Sequence, residues 1–162
     1  MNGPHFLSKV VAREDIRQRV NDLPRPVIFT NGVFDVLHCG HVTYLAEARA
    51  LGASLVVALN TDASVKRLGK GDDRPLNNQS DRAAVVAAIE SVSLVTWFEE
   101  DTPLSIITEL KPDTLVKGGD YNMRALAETA AVESYGGTAV AIAFVKGYST
   151  TALVQKIRQT RS

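Results

Sequence analysis

A chain of 162 residues with 18 basic side chains, 18 acidic ones and a single cysteine excludes several classes at once. The charges cancel, which argues against nucleic-acid and membrane partners; Cys39 alone cannot form an intrachain disulfide and fits a reducing cytoplasm; Met1 to Ser8 lacks the pattern of a signal peptide, and no stretch approaches the roughly 20 apolar residues of a membrane span. At 45% hydrophobic and 22% charged residues, the expectation is one cytoplasmic globular domain with its own core.

Residues 1–26 read as a tail and a modest amphipathic helix carrying Val10, Val11, Ile16 and Val20, leaving 27–162 as the domain proper. Val27, Ile28 and Phe29 make a short apolar run suited to a strand buried on both faces of a parallel sheet, broken by Thr30, Asn31 and Gly32. From Val42 the apolar residues Val42, Leu45, Ala46 and Ala48 recur at helical spacing, and Gly52 supplies the stop.

Between strand and helix lies His38-Cys39-Gly40-His41. The first N–H groups of a helix lack internal partners and the macrodipole is positive there, so an anion is favoured. Three residues apart, His38 and His41 share one side of the first turn and can offer nitrogen donors to phosphate oxygens, while Gly40 removes a Cβ that hinders approach. Zinc is the competing use of His38, Cys39 and His41, but a structural site needs four ligands and the remaining histidine, His5, sits in the tail, so no metal ligands are assigned.

Ser54 to Leu59 is a second buried strand, and Asp62 reads as the cap of a short basic helix with Lys66 and Arg67. The loop after it, Gly69 to Pro75, is either a solvated surface loop or a flap whose cations reach a triphosphate; Lys66, Arg67 and Lys70 compete for that role. Ser80 reads as the cap of the next helix, with Ala83, Val86, Ala87 and Ile89 on its apolar face. Arg82 in its first turn opposes the dipole, which marks it as a residue facing an anion.

Leu94 to Phe98 reads as a strand, Thr102-Pro103 as the start of a helix ending before Pro112, and Thr114 to Val116 as another strand. Lys117-Gly118-Gly119-Asp120-Tyr121 follows directly. A helix from 123 to 135 and a strand from Thr138 to Phe144 come next, and Gly147-Tyr148-Ser149-Thr150-Thr151 opens a last helix. The alternation predicts a single α/β domain, a doubly wound parallel sheet.

Four motifs in order, Thr30 to Asp35, His38 to His41, Lys117 to Tyr121 and Gly147 to Thr151, resemble those of the His-x-Gly-His nucleotidyltransferases with their Rossmann-like fold. Within that superfamily, which is also called cytidylyltransferase-like, the chain is most similar to the D-glycero-β-D-manno-heptose 1-phosphate adenylyltransferases of lipopolysaccharide precursor synthesis. The resemblance implies nucleotide binding by Thr30, Asn31, Gly32, Phe34, Gly40, His41, Lys117, Gly118, Gly119, Asp120, Ser149, Thr150 and Thr151, and sugar-phosphate binding by Asp35, Asn60, Asp62 and Arg82. It implies catalysis by His38, His41, Lys70 and Arg82, with ATP and a sugar 1-phosphate as substrates and Mg²⁺ as the accompanying ion.

It also implies a homo-oligomer, and a separate heptose 7-phosphate kinase, since a chain of this length cannot contain one. The family alternative is a cytidylyltransferase acting on glycerol 3-phosphate or a similar small phosphate. Such enzymes carry Arg-Tyr-Val-Asp where this chain has Glu90-Ser91-Val92-Ser93, and an Arg where it has Phe144; both differences are read as favouring adenylyl transfer. A catalytically silent nucleotide-binding module is the alternative from another class.

Overall fold

The computed structural model describes residues 3–69 and 71–160. Five strands, β1 (Val27–Gly32), β2 (Ser54–Asn60), β3 (Leu94–Phe98), β4 (Thr114–Gly118) and β5 (Thr138–Ile142), form one sheet in the order β3-β2-β1-β4-β5. Every pairing is parallel. The helices are α1 (Ile16–Asn21), α2 (Cys39–Arg49), α3 (Asp62–Arg67), α4 (Gln79–Ala87), α5 (Leu104–Leu110), α6 (Ala127–Ser134) and α7 (Thr150–Gln159).

Period-two alternation along the strands sorts the core into two layers. Val27 and Phe29 of β1, Val56 and Ala58 of β2 and Leu115 of β4 join Ile16 and Val20 of α1, Ile106, Ile107 and Leu110 of α5 and Val132 of α6 on one face. Ile28, Leu55, Val57, Leu59 and Val116 meet Tyr44, Leu45 and Ala48 of α2 and Ala83, Val86 and Ala87 of α4 on the other. The amino-terminal segment is therefore packed against the sheet: Val11 is buried, and its N–H donates to the Val95 carbonyl at 2.9 Å.

Several boundaries differ from expectation for physical reasons. β1 runs on through Thr30, Asn31 and Gly32, because these residues pair with Val57, Ala58 and Leu59 of a longer neighbour. Thr61, whose hydroxyl accepts from the Ser64 N–H, caps α3 in place of Asp62, and Asn78, accepting from Asp81, caps α4 in place of Ser80. The helix expected over 123–135 is a 3-10 turn (Met123–Ala125) and α6, separated by extended Leu126. β5 stops at Ile142.

The carboxyl ends of β1 and β4 lie side by side at the centre of the sheet, and the chain leaves them in opposite directions, toward β2 and toward β5. A crevice opens at such a point, and open α/β sheets place ligands there.

Candidate active site

That crevice widens into a cleft of about 850 Å³, lined from β1, the start of α2, the ends of β2 and β4, and the start of α7. His38 is extended (φ −142°, ψ 172°) immediately before α2, so the histidine pair stands on the first turn as expected. The rings are stacked with centroids 3.9 Å apart. The His38 N–H donates to His41 Nδ1 at 3.3 Å, which places the His41 ring proton on Nε2 and makes that atom a donor.

Burial lowers the pKa of both rings. His41 is pushed down to about 4, by burial first and by His38 second, and His38 is lowered by burial. The pair is thus neutral at neutral pH, and His38 Nδ1 is buried with no hydrogen-bond partner among the described residues. Gly40 has a further role here. A Cβ on it stands 3.0 Å from the His38 ring and from Tyr148, so glycine permits the close packing of α2 against the ring and the α7 loop.

On the β4 side, Lys117 Nζ donates to Asn31 Oδ1 at 2.8 Å, bridging the two central strands, and stands 3.7 Å from the Glu128 carboxylate. Burial lowers the Lys117 pKa and Glu128 pulls it back. Gly118 and Gly119 form the surface under the Phe144 ring; a Cβ on Gly118 sits 2.7 Å from that ring. Phe144 is 64% exposed, so its face is available to a flat ligand. Tyr121, Glu128 and Tyr148 line the cleft as well; the two tyrosines lie within motifs the sequence shows but carried no assigned role, and Glu128 lies in none.

The carboxyl-terminal motif divides its labour. Ser149 Oγ accepts from the Ala152 N–H and caps α7, whereas Thr150 Oγ1 donates to the Val36 carbonyl at 3.1 Å, tying α7 to the loop after β1. The Thr150 hydroxyl proton is committed, whereas the start of α7 can offer an anion its first backbone N–H groups and the hydroxyls of Ser149 and Thr151. Thr150→Val is expected to lower stability by about 1 kcal/mol while leaving ATP affinity nearly unchanged. Thermal melting beside ATP titration checks this, and unaltered melting with weakened ATP would return the hydroxyl to a phosphate role.

Five expected site residues, Thr30, Asp62, Arg82, Gly119 and Asp120, lie outside the cleft. Thr30 is fully buried, its hydroxyl 2.6 Å from Tyr44 Oη under the cleft. Gly119 is buried with φ 114°, a turn position bonded to the Ile142 carbonyl, and Asp120 beyond it is exposed; neither lines the cleft. Arg82 is the largest correction. It is 1% exposed, and its guanidinium donates to the carbonyls of Asn77, Val33 and Asn60 and to Asp62 at 2.7 to 3.0 Å. All three of its nitrogens are engaged internally and it is buried, so it joins α4 to the ends of β1 and β2 and does not face the cleft.

Asp62, its partner, also receives the Gln79 N–H and lines a neighbouring hollow with Lys66. Arg67 is engaged by Asp101 at 2.9 Å and by the Glu99 carbonyl. Lys70 lies outside the described residues. Asn31, Gly32, Phe34, Asp35, Asn60, Lys117, Gly118 and Thr151 do line the cleft. Asn60 donates to Ser64 Oγ, and the Asp35 carboxylate accepts from Arg74 Nε, the Leu76 N–H and the Asn77 N–H. Ser93, read as a marker of base choice, accepts from the Leu55 N–H at the amino edge of the sheet, opposite the cleft, and so does not bear on the base.

Among the described residues, no group of three or more His, Cys, Asp or Glu side chains is placed to hold a metal ion. The cleft combines neutral imidazole donors, two helix starts and a flat Gly–Phe platform, an arrangement suited to a nucleoside polyphosphate.

Known proteins share this arrangement of chain. The cytidylyltransferase-like family matches residues 29–156. A D-beta-D-heptose 1-phosphate adenylyltransferase of Bordetella bronchiseptica is 60% identical over 98% of this chain and 99% of its own. The bifunctional protein HldE of a Marinomonas species is 52% identical over 80% of this chain, which spans 27% of that relative's length. Among solved structures, a lipopolysaccharide core biosynthesis protein of Thermoplasma volcanium superposes with TM-score 0.62 at 28% identity, covering 76% of this chain and 98% of that one. The pantothenate synthetase of Thermus thermophilus, at 14% identity and TM-score 0.63 over 94% of this chain and 70% of its own, shares the fold. By the extent of the family match, and by identity along nearly the whole of a relative of equal length, this chain belongs to the cytidylyltransferase-like family.

Proposed function

We propose that this protein is a D-glycero-β-D-manno-heptose 1-phosphate adenylyltransferase, joining ATP and the sugar phosphate to give ADP-heptose and pyrophosphate for lipopolysaccharide core precursors. One observation carries the reading: the 60% identity to the Bordetella adenylyltransferase covers 98% of this chain and 99% of that one.

An oxygen of the sugar phosphate attacks the α-phosphorus of ATP; the new P–O bond forms as the bond to the β-phosphate breaks, and pyrophosphate departs. The attacking oxygen is already anionic at neutral pH, so no general base is required. The protein aligns the two substrates and stabilises charge on the α-phosphate and the leaving group. His41 Nε2–H and His38 are the donors for those oxygens, assisted by the first N–H groups of α2 and α7. Lys117 supplies positive charge from the β4 side, and the surface of Gly118 and Phe144 receives the base. Arg82 acts through the elements it joins. A divalent ion such as Mg²⁺, entering as the ATP complex, would shield charge on the phosphates in this reading.

In this reading residues 27–162 are the transferase unit, and the described part of residues 1–26 packs against it through Val11, Ile16 and Val20. The heptose 1-phosphate derives from a separate heptose 7-phosphate kinase, a division supported by relatives named bifunctional in which this chain matches about a quarter of the length. A cytoplasmic location fits the absence, among the described residues, of any helix long and apolar enough to cross a membrane. A homo-oligomer fits the edge strand β5, where Val140 is exposed, and α7, which has no buried residue and leaves Ile157 bare.

The test supplies the purified protein with ATP or CTP and with heptose 1-phosphate or glycerol 3-phosphate, then identifies products by mass. ADP-heptose is the expected product. CDP-glycerol in its place would convert the assignment to the cytidylyl alternative, and silence with every acceptor would favour a nucleotide-binding module.

A further inference from the structure

We infer that Arg74 is the anchor for the phosphate of the acceptor sugar, an inference that rests on the transferase reading. Among the described residues, the cleft is lined by two Lys or Arg side chains, Lys117 on the β4 side and Arg74 on the side of β2 and β3. A reaction between two phosphorylated substrates brings two anions together. In-line displacement puts the attacking oxygen and the departing pyrophosphate on opposite sides of the α-phosphorus. With the triphosphate held by the histidine pair and the starts of α2 and α7, the acceptor phosphate falls toward Arg74.

The geometry of Arg74 fits that task. Its side chain is 12% exposed, and its Nε donates to Asp35 Oδ2 at 2.7 Å. The Asp35 carboxylate is itself wholly buried and fixed by the backbone N–H groups of Leu76 and Asn77, both at 2.8 Å. One edge of the guanidinium is thereby locked. Neither Nη1 nor Nη2 has a hydrogen-bond partner among the described residues, and the side chain lines the cleft. A half-buried cation with one edge held and the other open to the cleft is prepared for a bidentate oxyanion. The contrast with Arg82, eight positions on, is direct, because all three nitrogens of that guanidinium are already bonded inside the protein.

The surroundings favour a sugar phosphate over a second nucleotide. Asn60 and Thr102 line the same half and offer groups for hydroxyls, while Leu68 and Pro103 give it apolar walls. The nearby acids are neutralised within the protein, Asp101 by Arg67 and Asp62 by Arg82. Arg74 is paired with Asp35 as well, but through Nε alone, so its two Nη groups remain the charged donors this half presents.

The experiment compares wild type, Arg74→Gln and Arg74→Lys by direct titration with heptose 1-phosphate, by separate titration with ATP, and by steady-state kinetics with melting temperatures recorded. Arg74→Gln is expected to raise both the Kd and the KM for the sugar phosphate roughly 10- to 100-fold, with ATP affinity changed less than about threefold. Arg74→Lys restores the charge without the fork and recovers part of the loss. Sugar-phosphate affinity unchanged in Arg74→Gln, or a loss confined to ATP, overturns the assignment. A lysine variant no better than glutamine, with both losses following melting temperature, reduces Arg74 to a structural role and overturns it too. Wild type that binds heptose 1-phosphate yet forms no ADP-heptose would defeat the transferase reading alone, since the titrations still decide Arg74; wild type that does not bind the sugar phosphate defeats both.

Discussion

Replacing His38 or His41 by alanine lowers kcat by about a hundredfold or more, the cost of removing one preorganised donor to a developing oxyanion, about 3 kcal/mol. The fold survives, because neither ring belongs to the hydrophobic core on either face of the sheet. The geometry sharpens this expectation for His41. Its Nδ1 is occupied by the His38 N–H and its pKa lies near 4, so catalysis uses a neutral donor through Nε2.

Between pH 8 and 6 the profile of kcat/KM should therefore follow the substrates' own phosphate ionisations, without the added change that protonation of an ordinary histidine at about 6.5 would bring. The same depression has a stability sign. The unfolded chain binds a proton below about 6.5 that the folded chain refuses until about 4, so this contribution is present above the upper value and is lost as pH falls toward the lower one. His41→Gln should flatten that part of the acid limb relative to wild type. Steady-state kinetics and thermal melts across the range supply both readouts; a folded alanine variant with near-normal kcat would remove that histidine from phosphate stabilisation.

Arg82→Ala should cost about 3 kcal/mol, since truncating a buried, hydrogen-bonded cation strands its partners. In a domain of this size that lowers Tm by roughly 6 to 12 °C. The stranded groups are the carbonyls of Val33, Asn60 and Asn77 together with Asp62. Turnover should fall through misplacement of the loops they belong to, with no selective rise in the KM of either substrate. Differential scanning calorimetry beside kinetics separates the cases. A melting curve like wild type's, with one substrate selectively weakened, would restore Arg82 to direct anion contact.

The exchange of Arg82 for Arg74 shows where sequence reading reached its limit. Both arginines stand near the start of α4, and a charge opposing a helix dipole is a local signal. Which one faces the cleft depends on Asp35, about 40 positions earlier, capturing Arg74 and two loop amides. That long-range choice leaves no periodic trace. The histidine turn was legible because strand end, glycine and helix start are adjacent in the chain and their physics is local.

The strands were legible for a similar reason, since burial on both faces writes an unbroken apolar run such as Leu55 to Leu59. Thr30 entered through the resemblance alone, and the fold turns it inward, where its hydroxyl meets Tyr44 from α2. Glu128 escaped notice because an acid in the first turn of a helix is ordinary, and only the fold brings it to Lys117. The cap assignments at Asp62 and Ser80 each missed by a residue or two, the usual scatter of helix ends.

The pairing of β1 with β4 also sets an order of assembly. Val27 receives its Asp113 contact, and Asn31 its Lys117 contact, across a sequence separation of 86 residues. Closing so long a loop carries an entropic cost that local contacts do not, and contacts of this kind form late. During synthesis, β1 and the histidine turn emerge while the second wall of the crevice has yet to be translated. A nascent chain therefore displays its phosphate-binding turn without the surface that gives a nucleotide its seat. Nucleotide affinity is a property of the finished sheet, and bound ATP in turn stabilises a pairing that joins distant parts of the chain.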